Sequence, residues 1–235
     1  MAARSQPKKT RPRRPGQRDP ARTRTAILAA ATHEFTAKGL TGARVDTIAS
    51  RSGVNKRMLY HYFGDKEGLY LAVLEETYAE IRSSEVELHL VDHDPIDGIR
   101  EFVAFTWNYF LAHPEFLSLL ANENMHRARY LRKSDKIRAL HSPFVATISR
   151  LLRRGERAGV FRRGVDPVQF YITIAALGFF YMANRHTLST IFARDLAAPQ
   201  ELRARGRHIV DVVLAYLAPG GGAAPPTKRM GKAHS

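Results

Sequence analysis

The chain has 235 residues, enough for one large domain or two small ones. Its 44% apolar and 25% charged content fits a folded globular protein, and the absence of any Cys excludes disulfides, thiol nucleophiles and Cys-ligated metal centres. The formal net charge of +15 is unevenly spread: nine Lys/Arg face one Asp in residues 1–24, and three more with no acid lie in residues 219–235.

Both basic ends are rich in Pro or Gly and are expected to be disordered, residues 1–22 as an arm and 219–235 as a tail. Such segments either bind polyanions in a salt-sensitive, sequence-blind way or simply keep a chain soluble. No apolar run follows the first charges, so no secretory signal is expected. The longest apolar segment, Val168 to Ala183, contains Gln169 and Thr173 and falls short of the roughly 20 residues a membrane span needs. The expectation is a soluble, cytoplasmic protein with no membrane partner.

The first predicted helix runs from Thr23 to Lys38, with Leu28, Ala31 and Phe35 at three- and four-residue steps and Gly39 as its stop. Val45, Ile48, Ala49 and Ser52 mark a short second helix closed by Gly53. Asn55 is placed to cap a third, Lys56 to about Phe63. Gly64 breaks that helix, and Asp65 can cap a long fourth one reaching about Leu90. After a loop at Val91–Pro95, segments Ile96–Ala112, Pro114–Tyr130, Ser134–Ala158, Pro167–Phe192 and Pro199–Leu217 are helical by period, and no stretch alternates as a strand would. The predicted fold is all-α: a three-helix helix-turn-helix domain at 23–70, then a helical bundle at 71–218.

Two segments lack a wet face. Phe102, Phe105, Thr106 and Tyr109 line one side of a helix whose other side carries Val103, Trp107 and Phe110, which places it at a bundle centre. The Pro167–Phe192 segment is similar, and its apolar surplus points to a subunit interface, with Ala175, Ala176 and Gly178 letting a partner helix come close.

On a wheel of about 100° per residue, Leu59 and Phe63 share the inward face of the third helix while Arg57, Tyr60 and His61 point away and Tyr62 lies at the edge. The outward donors suit phosphate oxygens and guanine edges: Arg57 can grip a guanine with two hydrogen bonds, Tyr60 suits a phosphate, and Lys56 flanks them. Asn55 either reads adenine or is spent on its cap. Lys66, in the first turn of the next helix, opposes the helix dipole, which makes sense where a phosphate lies between them.

Gly39, Ile48-Ala49, Gly53-Val54-Asn55, Leu59-Tyr60-His61-Tyr62-Phe63 and Lys66 together resemble the DNA-binding domain of the TetR/AcrR family of bacterial transcriptional regulators. The stretches from Pro114 to Ser134 and from Gly159 to Phe192 resemble, more loosely, a subgroup that includes the pyrimidine-utilisation and nicotinate-degradation repressors. The resemblance implies a homodimeric, all-helical repressor with an N-terminal reading head and a C-terminal ligand-binding and dimerising domain. It implies that Lys66 meets DNA phosphate and that Tyr60 and His61 lie at the groove. The family's usual Thr pair before the second helix is Ala43-Arg44 here, so a hydroxyl cap is lost and Arg44 becomes a candidate DNA contact, with Thr47 beside it. Asn55 replaces the usual Ser.

Trp107, Phe105, Tyr109, Tyr171 and Phe179 either wall an aromatic pocket between helices or are plain core. Asn124 with Arg127, in a polar run from Asn122 to Arg127, could hold a carboxylate or imide-like ligand, or lie on a solvated face. Trp107, Phe105, Asn124, Arg127, Tyr171 and Phe179 are the candidate ligand-binding residues. His89/His93 and Glu123/His126 do not make a metal site by spacing, and no cofactor is indicated. No G-x-S-x-G, HExxH or phosphate loop is present, so an enzyme is not expected. The expected function is a repressor released from a pseudo-palindromic operator in double-stranded DNA by a small-molecule effector. The alternatives are an activator or ligand-independent regulator of the same fold, or a non-specific DNA binder.

Overall fold

A computed structural model describes residues 19–220; the basic arm up to residue 18 and the tail beyond residue 220 lie outside them. Among the described residues all regular structure is helical, in two compact units that divide between Ala72 and Val73.

Helix α1 (Pro20–Gly42) starts three residues before the expected Thr23, taking in residues assigned to the arm. The reason is a local start signal: the Asp19 side chain accepts the Ala21 N–H at 3.0 Å, and Pro20 at the first helical position needs no N–H partner. Gly39 kinks the helix at φ 64° rather than ending it. Helix α2 (Val45–Ser52) closes on Gly53 in the left-handed region. Helix α3 (Lys56–Phe63) is capped by Asn55, whose Oδ1 accepts the Met58 N–H at 2.8 Å. Helix α4 (Lys66–Val86) is capped by Asp65 through the Gly68 N–H at 2.7 Å. The α3–α4 turn is so tight that a Cβ on Gly68 would lie 2.2 Å from the Phe63 carbonyl oxygen. In the first unit Ile27, Ala31, Phe35, Ile48, Leu59 and Leu69 are buried together with Tyr70, whose ring meets Phe35 edge-on at 5.1 Å.

Helix α4 stops at Val86, short of Leu90, because the chain turns through His89 at φ 46°. There follow α5 (Pro95–Ala112), α6 (Pro114–Met125), a 3-10 turn at Leu131–Lys133, α7 (Asp135–Arg157), α8 (Pro167–Ile191) and α9 (Pro199–Leu217). Helix α6 ends before the expected Tyr130. Arg127 and Ala128 adopt positive φ there, and the buried Glu123 carboxylate accepts the Leu131 N–H at 2.9 Å.

Helix α5 packs on α6, α7, α8 and α9 and carries Ile99, Phe102, Val103, Trp107 and Phe110 into the core on more than one face, as its sequence predicts. Gly178 serves a different neighbour from the one expected. A Cβ there would lie 3.0 Å from the Phe110 ring, so the missing side chain admits α5 of the same chain rather than a partner helix. Helix α8 is apolar on two sides. Phe170, Ile174, Tyr181 and Met182 face the core, while Val168, Ile172, Phe180 and Ile191 are exposed. No helix among the described residues is long and apolar enough to cross a membrane.

Candidate functional site

Helix α3 separates its side chains by burial as the wheel predicts. Leu59 is fully buried, Phe63 is half-buried beneath the Arg24 guanidinium at 5.6 Å, and Lys56, Arg57, Tyr60 and His61 are exposed. Tyr62 is half-buried, its ring edge-on to His61 at 5.7 Å and tilted against Phe63 at 6.1 Å. Lys56 Nζ reaches back to Asp46 on α2 at 2.9 Å, and that carboxylate raises the lysine pKa. The Lys56 cation is therefore held in place, and a phosphate must compete with Asp46 for it. The Asn55 amide oxygen is committed to the α3 cap, which settles the choice left open by the sequence for that atom.

Arg44 is exposed at the start of α2 and Thr47 is half-buried one turn on. Arg44 makes no side-chain cap, but its own N–H is held by an acceptor from α1. Glu34, buried, accepts the Arg44 N–H at 3.1 Å and the Lys38 ammonium at 2.8 Å through the same oxygen. The Lys38 hydrogen bond, aided by the Arg44 N–H, holds this carboxyl below the usual Glu range despite its burial. Sequence reasoning missed Glu34; an acid at the i−4 position from Lys38, next to the buried Phe35, is the signal that marks it. Lys66 is half-buried with Nζ donating to the Thr41 carbonyl at 3.2 Å, which offsets its conflict with the α4 dipole. The exposed face of the first unit thus offers guanidinium, ammonium, imidazole and phenol donors on short helices fixed by side-chain caps, the donor set that phosphates and base edges require.

The second unit holds a cavity of about 420 Å³ between the end of α4, the turn after it and α7. Arg82 and Glu85 line it, only 4% and 5% exposed, paired at 3.0 Å. The Arg82 guanidinium lies over the Phe144 ring at 4.0 Å, and its Nη2 is 3.4 Å from the Tyr171 hydroxyl. Burial pushes the Glu85 carboxyl up to about 8 against the pull of Arg82.

Of the predicted ligand residues, Tyr171 alone touches this pair. Trp107 is core, edge-on to Tyr181 at 5.6 Å and so close to α9 that a Cβ on Gly206 would lie 2.8 Å from its ring; it borders a separate groove between α5 and α9. Phe105 is half-buried beside Tyr109, and Phe179 packs on the edge of the core. Asn124 and Arg127 stand outside the bundle. Asn124 is exposed and donates to the Leu120 carbonyl, and Arg127 is exposed on the left-handed turn that ends α6. Asn124 lies on the exposed face of α6 and Arg127 lies past its end, while Glu123 is the buried polar group of that segment. Arg82 and Glu85 escaped sequence reasoning although a signal exists: Val73, Thr77, Ile81 and Glu85 follow at four-residue steps on the buried stripe of α4.

Residues 27–73 match the description "Bacterial regulatory proteins, tetR family", and residues 95–213 match "Tetracyclin repressor-like, C-terminal domain". The chain belongs to the TetR family. It is 43% identical over 179 residues to the HTH-type transcriptional repressor NicS of Pseudomonas putida, which covers 76% of this chain and 84% of NicS. The HTH-type transcriptional regulator RutR of Escherichia coli K12 is 29% identical over 137 residues, 57% of this chain and 64% of RutR. Among solved structures, the transcriptional regulator SCO4942 from Streptomyces coelicolor aligns with a TM-score of 0.62 at 26% identity, over 84% of this chain and 99% of that one. As a TetR-family member the chain is a DNA-binding transcriptional regulator, and α2 and α3 form its helix-turn-helix.

Proposed function

We propose that this TetR-family regulator is a ligand-responsive repressor acting in the cytoplasm as a homodimer. Residues 23–70 read DNA, and residues 71–218 bind the effector and dimerise. The two copies of α3 enter successive major grooves of a pseudo-palindromic operator, about one helical turn apart. The observation that carries this reading is the exposed row Lys56, Arg57, Tyr60 and His61 on a helix whose Leu59 is fully buried. Arg57 meets a base edge. Tyr60, His61, Lys56 and Lys66 meet the backbone, with Arg44 and Thr47 beside them and Asn55 holding the start of α3 in place. The exposed apolar stripe of α8, together with Val212 and Tyr216 of α9, supports dimerisation. A small molecule in the second unit favours a dimer whose reading heads are wrongly spaced, so that DNA affinity falls by no more than the ligand's differential affinity for the two states.

A gel shift with the DNA upstream of its own gene neighbourhood, against unrelated DNA at moderate salt, tests the reading. Preference for the upstream DNA supports it, and equal binding to both refutes it. The same assay after deletion of residues 1–18 separates a specific reader, which keeps its preference and loses affinity and salt slope, from a non-specific binder driven by the arm.

A further inference from the structure

We infer that the cavity between α4 and α7 takes a small monocarboxylate, its anionic head paired with Arg82 and its compact apolar body lying against Leu90, Leu140 and Phe144. This rests on the reading of the second unit as the effector-binding part.

Arg82 is buried, yet only its Nη2 has polar partners, Glu85 at 3.0 Å and the Tyr171 hydroxyl at 3.4 Å. Its Nε and Nη1, and the Glu85 Oε2, have none. Buried polar groups are rarely left so, and three unmet atoms on a pair of residues that both line the cavity describe the missing partner. A guanidinium offers coplanar N–H donors at a spacing that two carboxylate oxygens match, and a charge that an amide or alcohol answers less well. An ionised Glu85 would oppose a second carboxylate, but burial favours its protonated form, and the O–H then becomes another donor to the incoming anion. The remaining charge at the cavity floor is that of Arg82.

The walls set the body of the ligand. Leu90, Leu140, Pro143 and Phe144 are apolar, and the volume of about 420 Å³ suits a ring or short chain. Arg150 lines the mouth and Arg153 and Arg157 follow it on α7, so despite Asp92 nearby the approach is basic and draws anions. Arg154 is spent on the carbonyls of Val91 and His93 and fixes the turn that closes one side.

The test uses the full chain with benzoate, phenylacetate, cinnamate and hexanoate, each beside its own carboxamide, read by calorimetry and thermal shift. At least one acid should bind, with its amide weaker by about tenfold or more, reflecting the charge-assisted pair. Leu140→Trp, which fills the cavity and leaves Arg82 in place, should abolish that binding. Acids no better than their amides, or binding that survives Leu140→Trp, would overturn the inference. The acid-to-amide ratio decides it even where the Trp variant folds poorly. Adding the same acids to the protein–DNA complex keeps the two readings apart. Binding without release of DNA leaves the carboxylate site standing and refutes ligand-triggered release. Failure of every acid on a protein that still selects its DNA refutes the site alone.

Discussion

Arg57 and Lys56 are neighbours with different prospects. Arg57 is exposed at the surface of α3, whereas Lys56 is held by Asp46 at 2.9 Å. A guanidinium on the outer face of a recognition helix can make the two-pronged contact to guanine that discriminates bases. Arg57→Ala should therefore cost about 1–3 kcal/mol of operator affinity and relax preference at one base pair, measured by titrating the protein against operator variants. An equal loss on every sequence would reduce Arg57 to a phosphate contact. The 3.6-residue period was enough to tell Arg57, Tyr60 and His61 from Leu59, because a helix that packs on one side exposes the other. It was not enough for Asn55, whose oxygen had two plausible uses until the Met58 N–H was seen 2.8 Å away.

At the scale of the element, α2 shows how one helix end depends on another helix. Its N-cap, Arg44, supplies no side-chain acceptor, and Glu34 of α1, ten residues upstream, instead anchors the helix start by accepting Arg44's own N–H. Glu34→Ala should destabilise the fold by about 0.5–2 kcal/mol, as loss of a helix cap does, and should weaken operator binding by loosening α2. The pH dependence has a definite sign. The folded-state pKa of Glu34 is depressed, so its contribution is present above the ordinary value of 4.5 and is lost as pH falls through the folded value. Thermal melts of the natural chain and of Glu34→Ala, taken from about pH 7 down to about pH 3, should converge at the acid end. A constant gap would mean that Glu34 acts by packing rather than by charge.

For the whole molecule, the outer stripe of α8 is the feature that one chain leaves unexplained. Ile172 and Phe180 are 49% and 59% exposed, at four-residue steps with Val168 and Ala176, on a helix whose opposite face is core. A double change, Ile172→Asp with Phe180→Asp, should leave each chain folded, since both side chains already lie at the surface, and should shift the sedimentation equilibrium from dimer to monomer. Operator affinity should fall with it, because a monomer engages one half-site. A dimer that persists would move the interface elsewhere.

The sequence by itself determined the helix count and order, the helix-turn-helix, the inward and outward sides of α3, and the two-faced character of α5 and α8. These follow from local period and from punctuation by Gly, Pro, Asp and Asn, which act within a few residues. Only the tertiary structure decided which polar groups are buried and what they meet. Asn124 and Arg127 stood open between a ligand site and a solvated face until Asn124 proved exposed on α6 and Arg127 exposed past its end, and Gly178 looked like an interface residue until Phe110 was found against it. Arg82, Glu85 and Tyr171 converge from α4 and α8, 89 positions apart between Arg82 and Tyr171. A period reports which way a side chain faces on its own helix, whereas a binding site depends on what other helices bring to meet it.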